Sequence, residues 1–172
     1  MSSNYIESDE WRYERKFLVE DCSEAEVVNS IKQHPAIFSN IFNSRQVNNV
    51  YFDSLGFKNY IANVEGFSDR KKTRVRWYGA RFGRIENPVL EYKIKKGHLG
   101  RKKYYPLTNF FMGEKAGTFD LLKMMGQAKL PSRIRHEIRS LLPHLANSYT
   151  RQYYLSADKR FRLTVDTDIR FF

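Results

Sequence analysis

The stretch Arg160-Phe161-Arg162-Leu163-Thr164-Val165-Asp166-Thr167-Asp168-Ile169-Arg170 alternates between charged or polar residues and mostly apolar ones. Successive side chains of a β-strand point to opposite faces of the sheet, so this alternation predicts a strand with one charged and one apolar face. The predicted charged face carries Arg160, Arg162, Thr164, Asp166, Asp168 and Arg170. An antiparallel sheet commonly buries the apolar face of such a strand and leaves its polar face toward solvent.

The same alternation recurs in other segments, and their charged faces favour the positive sign. These faces carry Arg12, Glu14 and Lys16; Arg74 and Arg76; Glu91, Lys93 and Lys95; and Tyr149, Arg151 and Tyr153. A face that is merely solvated is expected to mix both signs evenly. If the sheet curls so that these faces converge, they form a cationic lumen that suits a chain of phosphates. The alternative is an open antiparallel sheet whose charged face lies in water.

Composition restricts the classes of partner. The chain has 172 residues, with 30 Lys and Arg against 19 Asp and Glu, a formal net charge of +11. This excess favours polyanions: nucleic acid, anionic membranes or phosphate-rich small molecules. Cys22 is the only cysteine, so no intrachain disulfide forms, and no apolar run approaches the roughly 20 residues of a membrane span. We therefore expect a cytoplasmic protein without a membrane segment in this chain.

The pattern predicts an α+β fold. Predicted strands cover residues 12–20, 46–53, 72–78, 89–95, 101–107, 149–155 and 160–172. Predicted helices cover residues 24–33, 55–64, 119–129 and 132–142. Residues 1–10 are expected to be a disordered lead-in. Because most predicted neighbours along the chain are strands, we expect an antiparallel β tunnel, or barrel, with a basic lumen and helices packed on its outside.

The familiar backbone cradles for phosphate are missing, because neither a G-x-x-x-x-G-K-[ST] nor a G-x-G-x-x-G motif occurs. The four histidines are scattered without the spacing of metal ligands. What remains is phosphate recognition by Arg and Lys side chains. Glu14, Glu91, Asp166 and Asp168 are candidate metal ligands or, alternatively, ion-pair partners that orient the basic side chains. For Glu91 we favour the ion pair.

Six motifs in chain order carry a family resemblance. They are Arg12-Tyr13-Glu14-Arg15-Lys16-Phe17, Val50-Tyr51-Phe52-Asp53, Arg74-Val75-Arg76-Trp77-Tyr78-Gly79, Leu90-Glu91-Tyr92-Lys93, Tyr149-Thr150-Arg151 and Arg162-Leu163-Thr164-Val165-Asp166-Thr167-Asp168. This series resembles the VTC domain, the polyphosphate polymerase branch of the triphosphate tunnel metalloenzymes, in the CYTH-like superfamily. The resemblance implies a tunnel that binds the triphosphate of ATP and, with a divalent cation (Mn²⁺ or Mg²⁺), transfers the terminal phosphate to polyphosphate.

The resemblance also implies roles for individual residues within a domain covering residues 11–172. The implied catalytic residues are Lys16, Arg74, Arg76 and Lys93, and the implied substrate-binding residues are Lys102, Tyr149, Arg151 and Arg162. It leaves the metal ligands unknown. Relatives continue past the final strand to a metal-binding Glu and a further tunnel Lys, so this chain is expected to lack that segment. The phosphotransferase activity is expected once the segment is supplied.

Three alternatives stay open from the sequence. A tunnel triphosphatase would hydrolyse a triphosphate rather than extend a chain, and a non-catalytic domain would only bind polyphosphate or inositol phosphates. A nucleic-acid binder would stack bases on aromatic side chains. Against the last, aromatic residues alternate with basic ones and are expected on the opposite sheet face. We also expect Arg76→Ala to weaken triphosphate binding while leaving folding nearly unchanged.

Overall fold

The computed structural model describes residues 6–113 and 118–172, with side chains described for residues 10–113 and 121–172. The strands are β1 (Ile6–Tyr13), β2 (Ser39–Asp53), β3 (Asp69–Tyr78), β4 (Gly83–Ile85), β5 (Val89–Lys96), β6 (Leu99–Pro106), β7 (Phe110–Met112), β8 (Leu142–Leu155) and β9 (Arg162–Phe171). The helices are α1 (Glu24–Gln33), α2 (Lys58–Val64), α3 (Thr118–Gln127) and α4 (Ser132–Ile138).

Seven strands form one antiparallel sheet that curls into a half-barrel. Their order is β1-β6-β5-β3-β2-β8-β9, and β4 and β7 pair in a separate small sheet. Strands β1 and β9 are therefore the two edges of the large sheet over the described residues. The predicted α+β fold with a mostly antiparallel sheet is confirmed, whereas closure into a tunnel stays a prediction.

The hydrophobic core lies between one face of the sheet and the helices α3 and α4. Val75 and Leu90 project from the centre of the sheet and are fully buried. They share a cluster with Met125 of α3 and Ile138 of α4. The helices thus cover the apolar face of the sheet, as the alternation predicted. We call the opposite side of the sheet, which faces away from α3 and α4, the inner face.

Helix α1 begins and ends where the sequence predicts. The Ser23 hydroxyl accepts a hydrogen bond from the Glu26 amide at 3.3 Å, and the Glu26 carboxylate accepts one from the Ser23 amide at 2.7 Å. This capping box satisfies backbone groups that the first turn leaves without helical partners. The longest helices in the described part of the chain, α1 and α3, have ten residues, and none meets the length and apolarity that a bilayer crossing requires.

Long-range pairing corrects several predicted boundaries. Strand β1 covers residues 6–13 rather than 12–20, because its partner β6 offers pairing from Tyr104 to Leu99 and then ends opposite Tyr13. Residues 6–10 of the predicted lead-in therefore belong to β1, and residues 1–5 lie outside the described part. Strand β2 begins at Ser39, because Ser39 pairs with Leu155 of β8. Strand β4 lies between the predicted strands 72–78 and 89–95, where no strand was predicted.

A bulge in β9 corrects the predicted charged face of that strand. Thr150 of β8 pairs with Thr167, but Ser148 pairs with Arg170, so β9 contains one extra residue between these pairs. Asp168 adopts a φ of 51°, a left-handed conformation that Asp tolerates better than most residues. Because one extra residue reverses the alternation, Arg170 lies on the face opposite to the charged residues earlier in β9. The prediction that it shares their face is wrong.

Candidate functional site: the basic inner face

The inner face is organised in rows of side chains that cross neighbouring strands. Residues directly opposite each other in a sheet share a face, so the pairing register defines each row. The first row contains Lys72, Lys93 and Lys102; the second Tyr51, Arg74, Glu91 and Tyr104; the third Asn147, Asn49, Arg76 and Val89. The next rows contain Tyr149, Val47 and Tyr78; then Arg151, Arg45 and Asp166; then Tyr153, Phe42 and Thr164.

The first of these, which we call the lysine row, concentrates positive charge. Lys93 Nζ donates hydrogen bonds to both carboxylate oxygens of Glu14, at 2.9 and 2.7 Å. Burial, together with repulsion from Lys16 and Lys93, lowers the pKa of Lys72. Burial also lowers the pKa of Lys102 to about 8. The surroundings of these amines thus disfavour their charged forms relative to water, and a bound anion would favour them.

Next to the lysine row, the carboxylate of Glu91 forms ion pairs with two guanidinium groups, those of Arg74 and Arg76. Glu91 is completely buried; it bonds to Arg74 Nη2, and its Oε2 lies 3.4 Å from Arg76 Nη1. Burial alone would raise the pKa of Glu91, but attraction to the two arginines outweighs this and lowers it. Arg74 Nη1 also donates to the Tyr51 hydroxyl at 3.0 Å. This buried cluster therefore retains a net positive charge.

Arg76 is held by side chains from both neighbouring strands and from β8. Its Nε donates to Asn49 Oδ1 at 2.8 Å, and its Nη2 donates to the Tyr149 hydroxyl at 3.0 Å. Asn49 in turn donates from Nδ2 to Asn147 Oδ1 at 2.8 Å. With Glu91 on the remaining nitrogen, the guanidinium is fixed in orientation. The network gives Arg76 a role in folding that the alternation of the sequence did not reveal.

Arg151 and Asp166 form a bidentate pair at the junction of β8 and β9. Arg151 Nε and Nη2 each donate to an Asp166 oxygen at 2.6 Å. Burial opposes the charge of Arg151, but the bond to Asp166 outweighs it and raises the pKa of Arg151. The guanidinium also lies 5.0 Å from the centre of the Tyr149 ring. Arg151 is thus oriented within the inner face beside Tyr149.

The two remaining predicted site residues have different positions. Lys16 follows β1 and is exposed, but its charge lowers the pKa of Lys72, so it lies near the lysine row. Arg162 is exposed and pairs with Leu155, four residues beyond Arg151 along β8. At a strand rise of about 3.3 Å per residue, this is roughly 13 Å further from the lysine row than Arg151. The structure does not bring Arg162 together with the other predicted residues.

Several inner-face residues were not among the site residues predicted from the sequence. Lys72 lies two positions before Arg74 on a predicted strand, so the alternation already contained its signal. Asn49 and Tyr51 lay on a predicted strand without charge to mark them. Arg45 had no signal, because it precedes the predicted start of that strand.

Aromatic side chains also lie on the inner face, which corrects the expectation that they occupy the opposite one. Tyr78, Tyr149 and Tyr153 share rows with or lie next to basic residues. Only aromatics such as Trp77 and Tyr92 follow the expectation, since they are buried in the core. The objection to base stacking on this face therefore does not hold.

Three of the four candidate metal ligands, Glu14, Glu91 and Asp166, lie in separate ion pairs rather than in one cluster. Glu14 pairs with Lys93 and Asp166 with Arg151, while Glu91 forms the ion pair that the sequence favoured. Over the residues that the structure describes, no three His, Cys, Asp or Glu side chains converge where a metal could bind. The side chains in the described part of the chain therefore do not form a cation cage built from protein ligands alone.

The chain matches one family of known proteins. A search of curated proteins gave no match. The family model of the VTC domain matches residues 11–172. This range contains every side chain of the rows described above and all strands of the half-barrel except the first residues of β1. The chain therefore belongs to the VTC domain family.

Proposed function

We propose that this chain is an ATP-dependent polyphosphate polymerase domain. It binds the triphosphate of ATP on the inner face and transfers the terminal phosphate to a polyphosphate chain. Membership of the VTC family supports a polyphosphate-related function. The cationic inner face supports a ligand with several phosphates, because charge-assisted bonds to Arg and Lys accumulate along such a ligand.

The observation that carries the proposal is the charge imbalance around Glu91. Arg74 and Arg76 are both nearly buried, and Glu91 is the carboxylate they share. The lysine row adds half-buried cations, Lys93 and Lys102, on the adjacent strands β5 and β6. Charges removed from water need compensation by counter-charges or hydrogen bonds. A triphosphate laid across these rows supplies that compensation.

In the proposal, the arginines and the lysines contribute to phosphate binding in different ways. Arg74 and Arg76 orient phosphate oxygens through their planar guanidinium groups, whereas Lys93, Lys102 and Lys16 supply point charge. Phosphoryl transfer requires mainly such positioning and charge stabilisation. The same half-barrel, closed into a tunnel, would enclose the phosphates. The compartment proposed is the cytoplasm.

The proposal includes a divalent cation, Mn²⁺ or Mg²⁺, that binds together with the nucleotide. Mg²⁺ commonly binds through substrate phosphates with one or two carboxylates and keeps several waters. Such a cation would neutralise phosphate charge when bound. Because Glu14 and Asp166 are engaged with Lys93 and Arg151, the cation is proposed to arrive already bound to the phosphates.

The test is incubation of the purified chain with ATP and Mn²⁺, followed by gel detection of polyphosphate. The site variant is Lys93→Met, whose partner Glu14 is exposed enough to be solvated. The matched control is Lys71→Met, because Lys71 lies on the same sheet but pairs with Glu137 of α4. Polymer formed by wild type and control, but reduced at least tenfold in Lys93→Met, supports the proposal.

Other products would identify the alternatives. Release of orthophosphate without polymer would indicate a triphosphatase. Binding of tripolyphosphate or inositol hexakisphosphate without consumption of ATP would indicate a non-catalytic domain. Equal activity of the Lys93 and Lys71 variants would contradict the assignment of the inner face as the site.

A further inference from the structure

The inner face changes character along its strands. One end is the lysine row, while the other end carries aromatic rings around Arg45. The Arg45 guanidinium lies 4.7 Å from the ring centre of Phe42, 5.8 Å from that of Tyr78 and 5.7 Å from that of Tyr153. We call these four side chains the aromatic cluster. A ligand made only of phosphates would interact with the ammonium groups, but the aromatic rings would add nothing to its binding.

The aromatic cluster is positioned by the sheet and is accessible. Its rings come from the three adjacent strands β2, β3 and β8, so the pairing register fixes their spacing. The rings of Phe42 and Tyr153 meet edge to face with centres 5.6 Å apart. Phe42 and Tyr78 are 50% and 47% exposed. Flat surfaces are thus already in place for a ligand that stacks.

Arg45 adds a second planar surface. Among the residues that the structure describes, no carboxylate pairs with it, unlike Arg74, Arg76 and Arg151. Guanidinium planes stack on nucleobases as aromatic rings do. Arg45 is therefore oriented by rings rather than by a counter-charge, and its plane is available to a flat ligand.

An open groove with polar side chains lies directly beside the aromatic cluster. It is lined by Asn40, Ile41, Phe42, Asn43, Ser44, Arg45 and Gln152. Strand β2 bulges here, since two residues lie between Phe42 and Arg45 but only one lies between their partners Tyr153 and Arg151 on β8. The amide of Asn43, next to Phe42 in this groove, offers both donors and an acceptor, which match the edge of a heterocyclic base. Stacking surfaces and edge-reading groups thus occur together.

The distance to the phosphate-binding rows suits a nucleotide. Arg45 pairs with Arg151, and Asn49, which holds Arg76, lies four residues further along β2. At about 3.3 Å per residue this separation is roughly 13 Å. The ribose and phosphates of an extended nucleotide can bridge such a distance. The aromatic cluster and the arginines can therefore engage one ligand.

We infer that the aromatic cluster binds the nucleobase of a nucleoside triphosphate whose phosphates lie on the basic rows. This inference rests on the proposed function and extends it, because it assigns the residues that distinguish a nucleotide from inorganic polyphosphate. Stacking of a base on an aromatic side chain is worth enough for roughly a tenfold to hundredfold change in affinity. Loss of the Phe42 ring should therefore affect nucleotides and spare ligands that have no base.

The experiment is calorimetric titration of wild type, Phe42→Ala and Phe111→Ala with ATP and with tripolyphosphate. Phe111 is the matched control, because it is exposed on β7, outside the seven-stranded sheet. We expect Phe42→Ala to bind ATP at least tenfold more weakly than wild type and tripolyphosphate equally well. Phe111→Ala should match wild type for both ligands, and melting temperatures should show that both variants are folded.

Each other outcome has a distinct meaning. If wild type binds both ligands and Phe42→Ala leaves ATP affinity unchanged, the proposed function stands and the inference fails. An equal loss for ATP and tripolyphosphate would also overturn the inference, because Phe42 would then act through the phosphate-binding residues. If wild type binds neither ligand, the proposed function itself fails. If a single-stranded oligonucleotide binds more tightly than ATP and requires Phe42, the surface is a nucleic-acid site and the inference is overturned.

Discussion

Glu91→Gln tests how far the inner face depends on its buried carboxylate. Glu91 is fully buried between Arg74 and Arg76, and glutamine keeps its shape while removing its charge. The substitution leaves two guanidinium groups near each other without their shared counter-charge. We expect a large loss of stability in the empty protein and an unusually large recovery when a polyphosphate ligand binds.

The magnitude follows from the burial of the pair. Removing one partner of a buried ion pair typically costs about 3–5 kcal/mol, because a charge remains without compensation. Arg74 and Arg76 are 8% and 5% exposed, so solvent can compensate little. Against a total stability of about 5–15 kcal/mol for a domain, the variant should lose between roughly a fifth and all of its free energy of unfolding.

The assay is urea denaturation of wild type and Glu91→Gln with and without tripolyphosphate. A ligand at a hundred times its dissociation constant stabilises a folded protein by about 2.7 kcal/mol. Because tripolyphosphate can replace the lost carboxylate, it should bind the variant more tightly than wild type and stabilise it more at equal concentration. Glu137→Gln is the matched control, since Glu137 pairs with Lys71, both about one-third exposed, away from the inner face.

Two results would refute this reasoning. If Glu91→Gln unfolds at the same urea concentration as Glu137→Gln, the buried carboxylate does not compensate the arginines. If tripolyphosphate stabilises wild type and Glu91→Gln by equal amounts, the ligand does not occupy the position next to Arg74 and Arg76. The second result would remove the main support for the proposed function.

Three further predictions concern the same face. The depressed pKa of Lys102 predicts that its share of tripolyphosphate binding is complete below about pH 8 and decreases above it, by up to about tenfold per pH unit, because the anion favours the charged amine. Calorimetry from pH 7 to 9 should show this component in wild type and not in Lys102→Met; identical pH profiles would contradict it. Arg76→Ala should lower both tripolyphosphate affinity and the free energy of unfolding, the latter by about 3–5 kcal/mol, because Glu91 loses a partner and neighbouring polar groups lose theirs. This revises the sequence-based expectation of an unchanged stability, and an unshifted urea midpoint would restore it. Asp166→Asn should reduce stability by less than about 1 kcal/mol, because Asp166 is about one-third exposed; a loss above 3 kcal/mol in the same assay would show that its bond to Arg151 supports the fold.

The sequence alone determined which side chains share a face within a strand. A period of two assigns Arg74 and Arg76 to one face and Val75 to the other, whatever the partners of the strand are. For the same local reason, the capping pattern at Ser23 located α1. The six motifs in chain order also predicted membership of the VTC domain family, and the family match to residues 11–172 confirms it.

Only the tertiary structure determined which residues meet across strands. Glu91 lies between two arginines because β5 pairs with β3. Arg76 reaches Tyr149 because only one strand, β2, lies between β3 and β8. Those neighbours are far apart in the chain, and nothing local fixes their order or register. The carboxylate therefore became an ion-pair partner through a pairing that no single segment encodes.

Irregularities had the largest effect. One extra residue at Asp168 moved Arg170 to the other face, and the bulge after Phe42 placed Arg45 among aromatic rings. Strict alternation cannot anticipate such positions, because a bulge arises from the fit between two strands and reverses every side chain beyond it. The positive charge of the inner face could thus be predicted from the sequence. The aromatic cluster at one end of that face depends on how the strands pair.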